Sequence, residues 1–134
     1  MTFSQTTERI ARILLGLIYF VFGLNFFFHF IPGGAQPSGK AAAFLGGLFQ
    51  TGYVFQLVKI IEITAGALLL IGRYVPLVLV VLMPISLNIF LFHSVLEPTG
   101  SALVLSSLIL VLQLFLAWKY QRYYKQLFIS KPVL

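Results

Sequence analysis

The sequence predicts an all-α integral membrane protein: a four-helix transmembrane bundle with a short interfacial or re-entrant helix between the first two spans. Three observations predict this. Of 134 residues, 60% are hydrophobic and only 9% charged, at a mean hydropathy of +1.01, too few charges to cover a water-soluble surface. Four apolar stretches, residues 10–31, 52–72, 75–96 and 101–119, are long enough to cross the hydrocarbon, which takes roughly 20 helical residues. Their near-continuous Leu, Ile, Val and Phe content lacks the alternation of a barrel strand, and an open strand would leave backbone groups unpaired in lipid. The chain is therefore read as a single transmembrane domain, residues 1–134.

The first span is expected to be capped by Thr6 or Thr7 ahead of Glu8. Arg9 and Arg12 before it, and Gly33-Gly34-Ala35 after it, imitate a signal peptide, but the apolar run exceeds the roughly 7–15 residues of a cleaved segment. It reads as an uncleaved span. Residues 32–39 have loop chemistry, and residues 40–50 form an apolar stretch too short to cross. Gly72-Arg73-Tyr74 before Pro76, and Glu97-Pro98-Thr99-Gly100, make the two tight turns that place successive spans antiparallel.

Basic residues set the orientation. With the N-terminus in the cytoplasm, that side collects Arg9, Arg12, Arg73, Lys119, Arg122, Lys125 and Lys131, against Lys40 and Glu97 in the loops opposite. Both termini are thus expected on the cytoplasmic face of a bacterial inner membrane. The basic tail, residues 120–134, continues from Trp118 and Lys119, and its Arg122 and Lys125 suit anchoring at an anionic leaflet.

Polar residues within the spans carry the functional information. Lys59 and Glu62 each cost roughly 2.5–3.5 kcal/mol near the bilayer centre, and the eleven Leu, Ile, Val and Phe of that span return only about 0.3–0.6 kcal/mol each. Three residues apart, they share a face and can pair. Asn25 and His29 end the first span, and Asn88, His93 and Glu97 end the third, with Ser86 on the face of His93. Alternating helix direction puts all of these in the outer half, where they would enclose a polar pocket. Two histidines on different helices at similar depth fit haem ligation or a proton relay, but their positions near helix ends favour packing roles, and haem is disfavoured. Glu-x-x-His spacing is lacking and there is no cysteine, so no metal site is expected.

Gly16 and Gly23, seven apart in the first span, and Gly66 in the second read as sites of close helix packing. Pro84, four before Asn88, frees a carbonyl in the third span. The 14 phenylalanines would suit a flat apolar ligand such as a quinone, and suit lipid equally. Ser106 and Gln113 share a face of the fourth span.

The pattern Arg12-x-x-x-Gly16, with Gly23 later in the helix, followed by Glu62-x-x-x-Gly66-x-Leu68-Leu69-Leu70-x-Gly72-Arg73, resembles the DoxX family of small four-helix membrane proteins. Pro84-Ile85-x-Leu87-Asn88-Ile89-Phe90-Leu91-Phe92-His93 resembles a bacterial subgroup of that family, and the likeness spans about residues 8–119. The resemblance implies association with quinone-linked or other membrane oxidoreductase systems that use soluble partners. It singles out Glu62 as a family position, with Lys59 and His93 belonging to the subgroup.

The expected function is an accessory or quinone-associated subunit of a membrane redox system, working with a soluble or membrane partner in the lipid bilayer and not an enzyme on its own. Two alternatives remain: a small proton-coupled transporter or channel component, expected as a homodimer, and an assembly protein whose buried polar groups only set helix register. Nucleic acid is not an expected partner.

Overall fold

The first helix starts well before its apolar run because Thr2 and Gln5 form a reciprocal capping box. Each side chain accepts from the other's backbone N–H, at 3.1 and 3.2 Å. Helix α1, Phe3–Phe28, therefore begins at the third residue, and Thr2 is the cap in place of the expected Thr6 or Thr7. Those two threonines lie inside the first turns and bond back to the carbonyls of Thr2 and Phe3. In the computed structural model, residues 2–33, 36–98 and 100–134 are described. Gly34, Ala35 and Thr99, which the sequence placed in the small-residue motif and the second turn, fall outside them.

After α1 come α2, Gly39–Gln50, and α3, Val54–Ile71. Helix α4, Val75–Leu91, runs into a π-helical turn, Phe92–Leu96, and α5 covers Gly100–Lys119. A short α6, Gln121–Tyr124, and a 3-10 turn, Lys125–Phe128, close the chain. Four of these segments, α1, α3, α4 with its π turn, and α5, are long and apolar enough to cross a membrane. The protein is an all-helical four-helix membrane bundle.

Two boundaries differ from the apolar runs, and both follow from backbone geometry. Helix α1 stops at Phe28, where His29 turns left-handed (φ 53°). Helix α3 starts at Val54, after a turn through Gly52 (φ 77°), and not at residue 52. Its other end is a Schellman cap, with Gly72 N–H on Leu69 O and Arg73 N–H on Leu68 O.

The four spans form a ring in which α1 packs on α3 and α5, and α4 on α5 and α3. Leu15, Leu69, Leu79, Leu82 and Leu116 are fully enclosed at the centre. Outward-facing positions such as Leu77, Val104 and Val111 stay exposed, as expected of side chains solvated by acyl chains. The closest pair is α1 with α3. A Cβ at Gly66 would lie 2.6 Å from Phe20 N and 2.8 Å from Gly16 O, and one at Gly16 would lie 3.0 Å from Gly66 O. Small residues on both helices let the backbones touch. Gly23 extends the seam, where a Cβ would meet Ile63 Cγ1 at 2.7 Å.

Helix α2 lies against the end of the bundle opposite the chain termini. Phe49 stacks on Phe55 of α3 at 4.2 Å between ring centroids, Phe26 of α1 faces Phe55 at 5.9 Å, and Phe44 faces Phe92 at 6.0 Å. These contacts hold it across the mouth formed by α3 and α4.

Candidate functional site

Beneath α2, the first turns of α3 and the last of α4 line a cavity of ≈ 540 Å³. Its wall is mainly apolar, with Phe44, Phe55 and Phe92 contributing rings. Four polar side chains reach it: Lys59 and Glu62 from α3, Asn88 from α4 and His93 from the π turn. Volume and lining fall in the usual range of small-molecule sites, about 300–1,000 Å³ with a few convergent polar groups.

Lys59 and Glu62 are one helical turn apart, and Lys59 Nζ donates to Glu62 Oε2 at 2.9 Å. Glu62 is 2% exposed, so the carboxylate depends on this ion pair for compensation. Asn88 Nδ2 donates to the carbonyl of Pro84 at 2.9 Å, one turn back on α4. His93 sits where the helix widens into i→i+5 bonding, with Glu97 N–H on Phe92 O at 2.9 Å. Its Nδ1 is buried and has no hydrogen-bond partner among the described residues.

The remaining polar residues expected in this pocket lie elsewhere. Asn25 accepts the Ile31 N–H on Oδ1 at 2.7 Å, and its backbone carbonyl accepts the His29 N–H at 2.8 Å, so it closes the end of α1. His29 occupies the left-handed cap and is exposed, off the cavity lining. A helix running to residue 31 would keep His29 on the face of Asn25; the left-handed cap turns His29 off that face. Glu97 caps the π turn in non-helical geometry (φ −144°) and also stays outside the lining. The two histidines thus share no cavity, and among the described residues no three of His, Cys, Asp and Glu gather in metal-binding range.

A second polar system, deeper in the bundle, includes a residue that the sequence reading missed. Tyr19 of α1 bonds Ser86 of α4, Ser86 bonds Gln113 of α5, and Gln113 Nε2 donates to Leu79 O at 2.8 Å. A carbonyl only accepts, so the Gln113 nitrogen must face Leu79 and its oxygen must face Ser86. Ser86 then donates to Gln113, and Tyr19 donates to Ser86. Every member is satisfied, and the chain ties three spans together. The signal for Tyr19 was its spacing, three after Gly16 and four before Gly23, on the packed face of α1.

At the end carrying the termini, Arg12 crosses to the last turn of α3. It donates to Leu69 O and to Leu70 O, the latter at 3.3 Å, and pairs with Glu8 at 3.3 Å. Glu8 also accepts from Tyr120 Oη at 2.7 Å, and Tyr124 Oη donates to Pro76 O at 2.8 Å. Burial pushes the Tyr120 phenol up to about 12, aided by the bond to Glu8, and burial also raises Tyr124. Trp118 is exposed, Lys119 lies 5.4 Å from its ring and bonds Ser4, and Arg122 lies 4.7 Å from the Tyr123 ring. Lys125 opens the final 3-10 turn.

The fold and cavity define a class, a small multi-pass helical membrane protein with an amphipathic cavity at one end of its bundle. Comparison of the chain with family models, curated proteins and solved structures gave no match.

Proposed function

We propose that this chain is a DoxX-like accessory subunit of a bacterial inner-membrane redox system, whose cavity receives a quinone-type ring and passes electrons to and from a partner protein. The observation that carries the reading is the cavity: apolar walls with three phenylalanines, and Lys59, Glu62, Asn88 and His93 converging on it. When bound, such a ring supplies reversible two-electron, two-proton chemistry. The chain's own residues do the rest. Phe44, Phe55 and Phe92 flank a planar ring, and α2 screens it from the interface. Lys59 and Glu62 hold a proton-exchanging pair beside it, and His93 Nδ1 offers an unpaired nitrogen. The concentration of basic residues beside both termini supports a cytoplasmic location for that end, which puts the cavity in the outer half of the membrane. The lack of cysteine and of metal-ligand spacing in the sequence supports the accessory reading, in which a partner delivers the electrons.

Native mass spectrometry of gently extracted protein tests this reading, with fragmentation of whatever is retained. A stoichiometric ring compound in the wild type, lost from a folded Glu62→Gln variant, is the expected result. Heterogeneous phospholipid alone in both, under conditions that keep the quinone on a control protein, would refute it.

A further inference from the structure

We infer that the cavity selects its ligand in the hydroxyl-bearing form, a neutral quinol-type ring with phenolic O–H donors that arrives sideways from the lipid past Asn88, in preference to the carbonyl-bearing quinone. The inference rests on the proposal that the cavity holds a quinone-type ring, and deepens it by naming the redox form.

The hydrogen-bonding groups left over at the cavity wall carry the argument. Asn88 spends its nitrogen on the Pro84 carbonyl, which can only accept, so its oxygen is the free atom and is an acceptor. Glu62 uses Oε2 for Lys59, and Oε1 has no donor among the described residues. Lys59 keeps further N–H donors after pairing with Glu62. His93 Nδ1 donates or accepts according to tautomer. The wall therefore offers two carboxyl- and amide-type acceptors beside one ammonium. A phenolic hydroxyl answers both kinds, because it donates to Asn88 or Glu62 and still accepts from Lys59. A quinone carbonyl accepts only. It matches Lys59, but placed against Asn88 Oδ1 or Glu62 Oε1 it brings two acceptors together and leaves both unpaired. The Lys59 and Glu62 charges cancel, so the wall favours a neutral ligand over an ionic one.

The route follows from exposure and depth. Pro84 and Asn88 both line the cavity and are exposed. At 1.5 Å per residue, Asn88 stands about 20 Å from the Val75 end of the span and about 12 Å from the Leu96 end, inside the hydrocarbon. The opening thus faces acyl chains, from which a membrane-dissolved amphiphile can enter without crossing water.

The test measures affinity. Full-length protein in lipid nanodiscs is titrated with a short-tailed 1,4-benzoquinone and, anaerobically with excess reductant, with the matching 1,4-hydroquinone, by calorimetry against empty nanodiscs. The hydroquinone is expected to bind about tenfold more tightly, the scale of one added hydrogen bond. Asn88→Leu, lipid-compatible at an exposed position, removes an acceptor that only the hydroquinone can use and is expected to weaken the hydroquinone without weakening the quinone, which narrows the tenfold gap. Saturable binding of both forms with equal affinity, or tighter binding of the quinone, overturns the inference and leaves the cavity reading standing. No saturable binding of either overturns both. The wild-type comparison decides the preference even where the variant folds poorly.

Discussion

Gly66→Ala tests the seam on which the cavity's geometry depends. The added Cβ would lie 2.6 Å from Phe20 N, 2.8 Å from Gly16 O and 3.0 Å from Phe20 Cα, all backbone atoms that no rotamer change can move. Restoring ordinary contact at 3.4 Å requires α1 and α3 to part by about 0.8 Å at this point. Overpacking of that kind costs about 1–3 kcal/mol, against a helix-propensity gain of up to about 1 kcal/mol. The net expectation is a loss of about 0–2 kcal/mol against the wild type, and of about 1–3 kcal/mol against a variant that makes the same propensity gain without the clash. Gly46→Ala is the matched control, because a Cβ there meets nothing within 4 Å and only the propensity gain remains. Unfolding in mixed micelles, followed by circular dichroism, compares the two variants. Gly66→Ala as stable as Gly46→Ala would refute the claim that the helices touch through glycine.

Other perturbations address the polar groups. Removing one partner of the buried pair, by Lys59→Met or Glu62→Gln, is expected to destabilise, with Lys59→Met the worse at up to about 3–5 kcal/mol because it strands a carboxylate; the double variant should recover part of the loss, measured as a double-mutant cycle. Gln113→Leu removes the side-chain donor to Leu79 O and leaves the buried Ser86 hydroxyl without its acceptor, an expected loss of about 1–3 kcal/mol by the same unfolding assay. Tyr120 has a folded-state value raised from 10.0 to about 12, so the folded state holds that proton more tightly, and its contribution, complete below pH 10, should fade as pH rises through about 12. Phenolate absorbance should therefore show a tyrosine titrating near 12, which disappears in Tyr120→Phe.

The bundle was readable because lipid leaves few alternatives: four apolar runs of spanning length, separated by turn residues, must become helices. The short apolar stretch likewise had to be a helix too short to cross, and it is, as Gly39–Gln50. Capping was less readable. Threonines at 2, 6 and 7 offer similar signals, and the reciprocal bond with Gln5 decides among them. Counting depth along straight helices grouped Lys59, Glu62, Asn88 and His93, all of which line the cavity, but the same count misplaced Asn25 and His29. Spacing says which face a residue occupies only while the helix continues, and α1 ends one residue before His29; Asn25 is still helical, but its Oδ1 is taken by the Ile31 N–H beyond that end. Tyr19 was overlooked for a different reason: an aromatic within an apolar run reads as lipid-facing until its hydroxyl is asked for a partner.

The two polar systems inside the bundle differ in a way that bears on function. In the Tyr19, Ser86 and Gln113 chain, each donor has an acceptor and the direction of every bond is forced by the Leu79 carbonyl. Such a closed network fixes helix register and leaves nothing over for a ligand. At the cavity, the Asn88 oxygen and one Glu62 oxygen lack a donor among the described residues, and His93 Nδ1 lacks any partner there. A sequence under selection for stability alone would fill that space with leucine, since unpaired polar atoms in lipid cost more than they return. The glycine seam explains how both systems persist. Gly66 is one turn from Glu62, and the close contact of α1 with α3 continues from Gly66 up to Gly23, where a Cβ would lie 3.3 Å from Ile63 N and 3.4 Å from Lys59 O, so the α3 backbone that carries Lys59 and Glu62 is held against α1. The seam thereby fixes the position of Lys59 and Glu62, and leaves their unpaired polar atoms turned to the cavity that α4 and α2 complete.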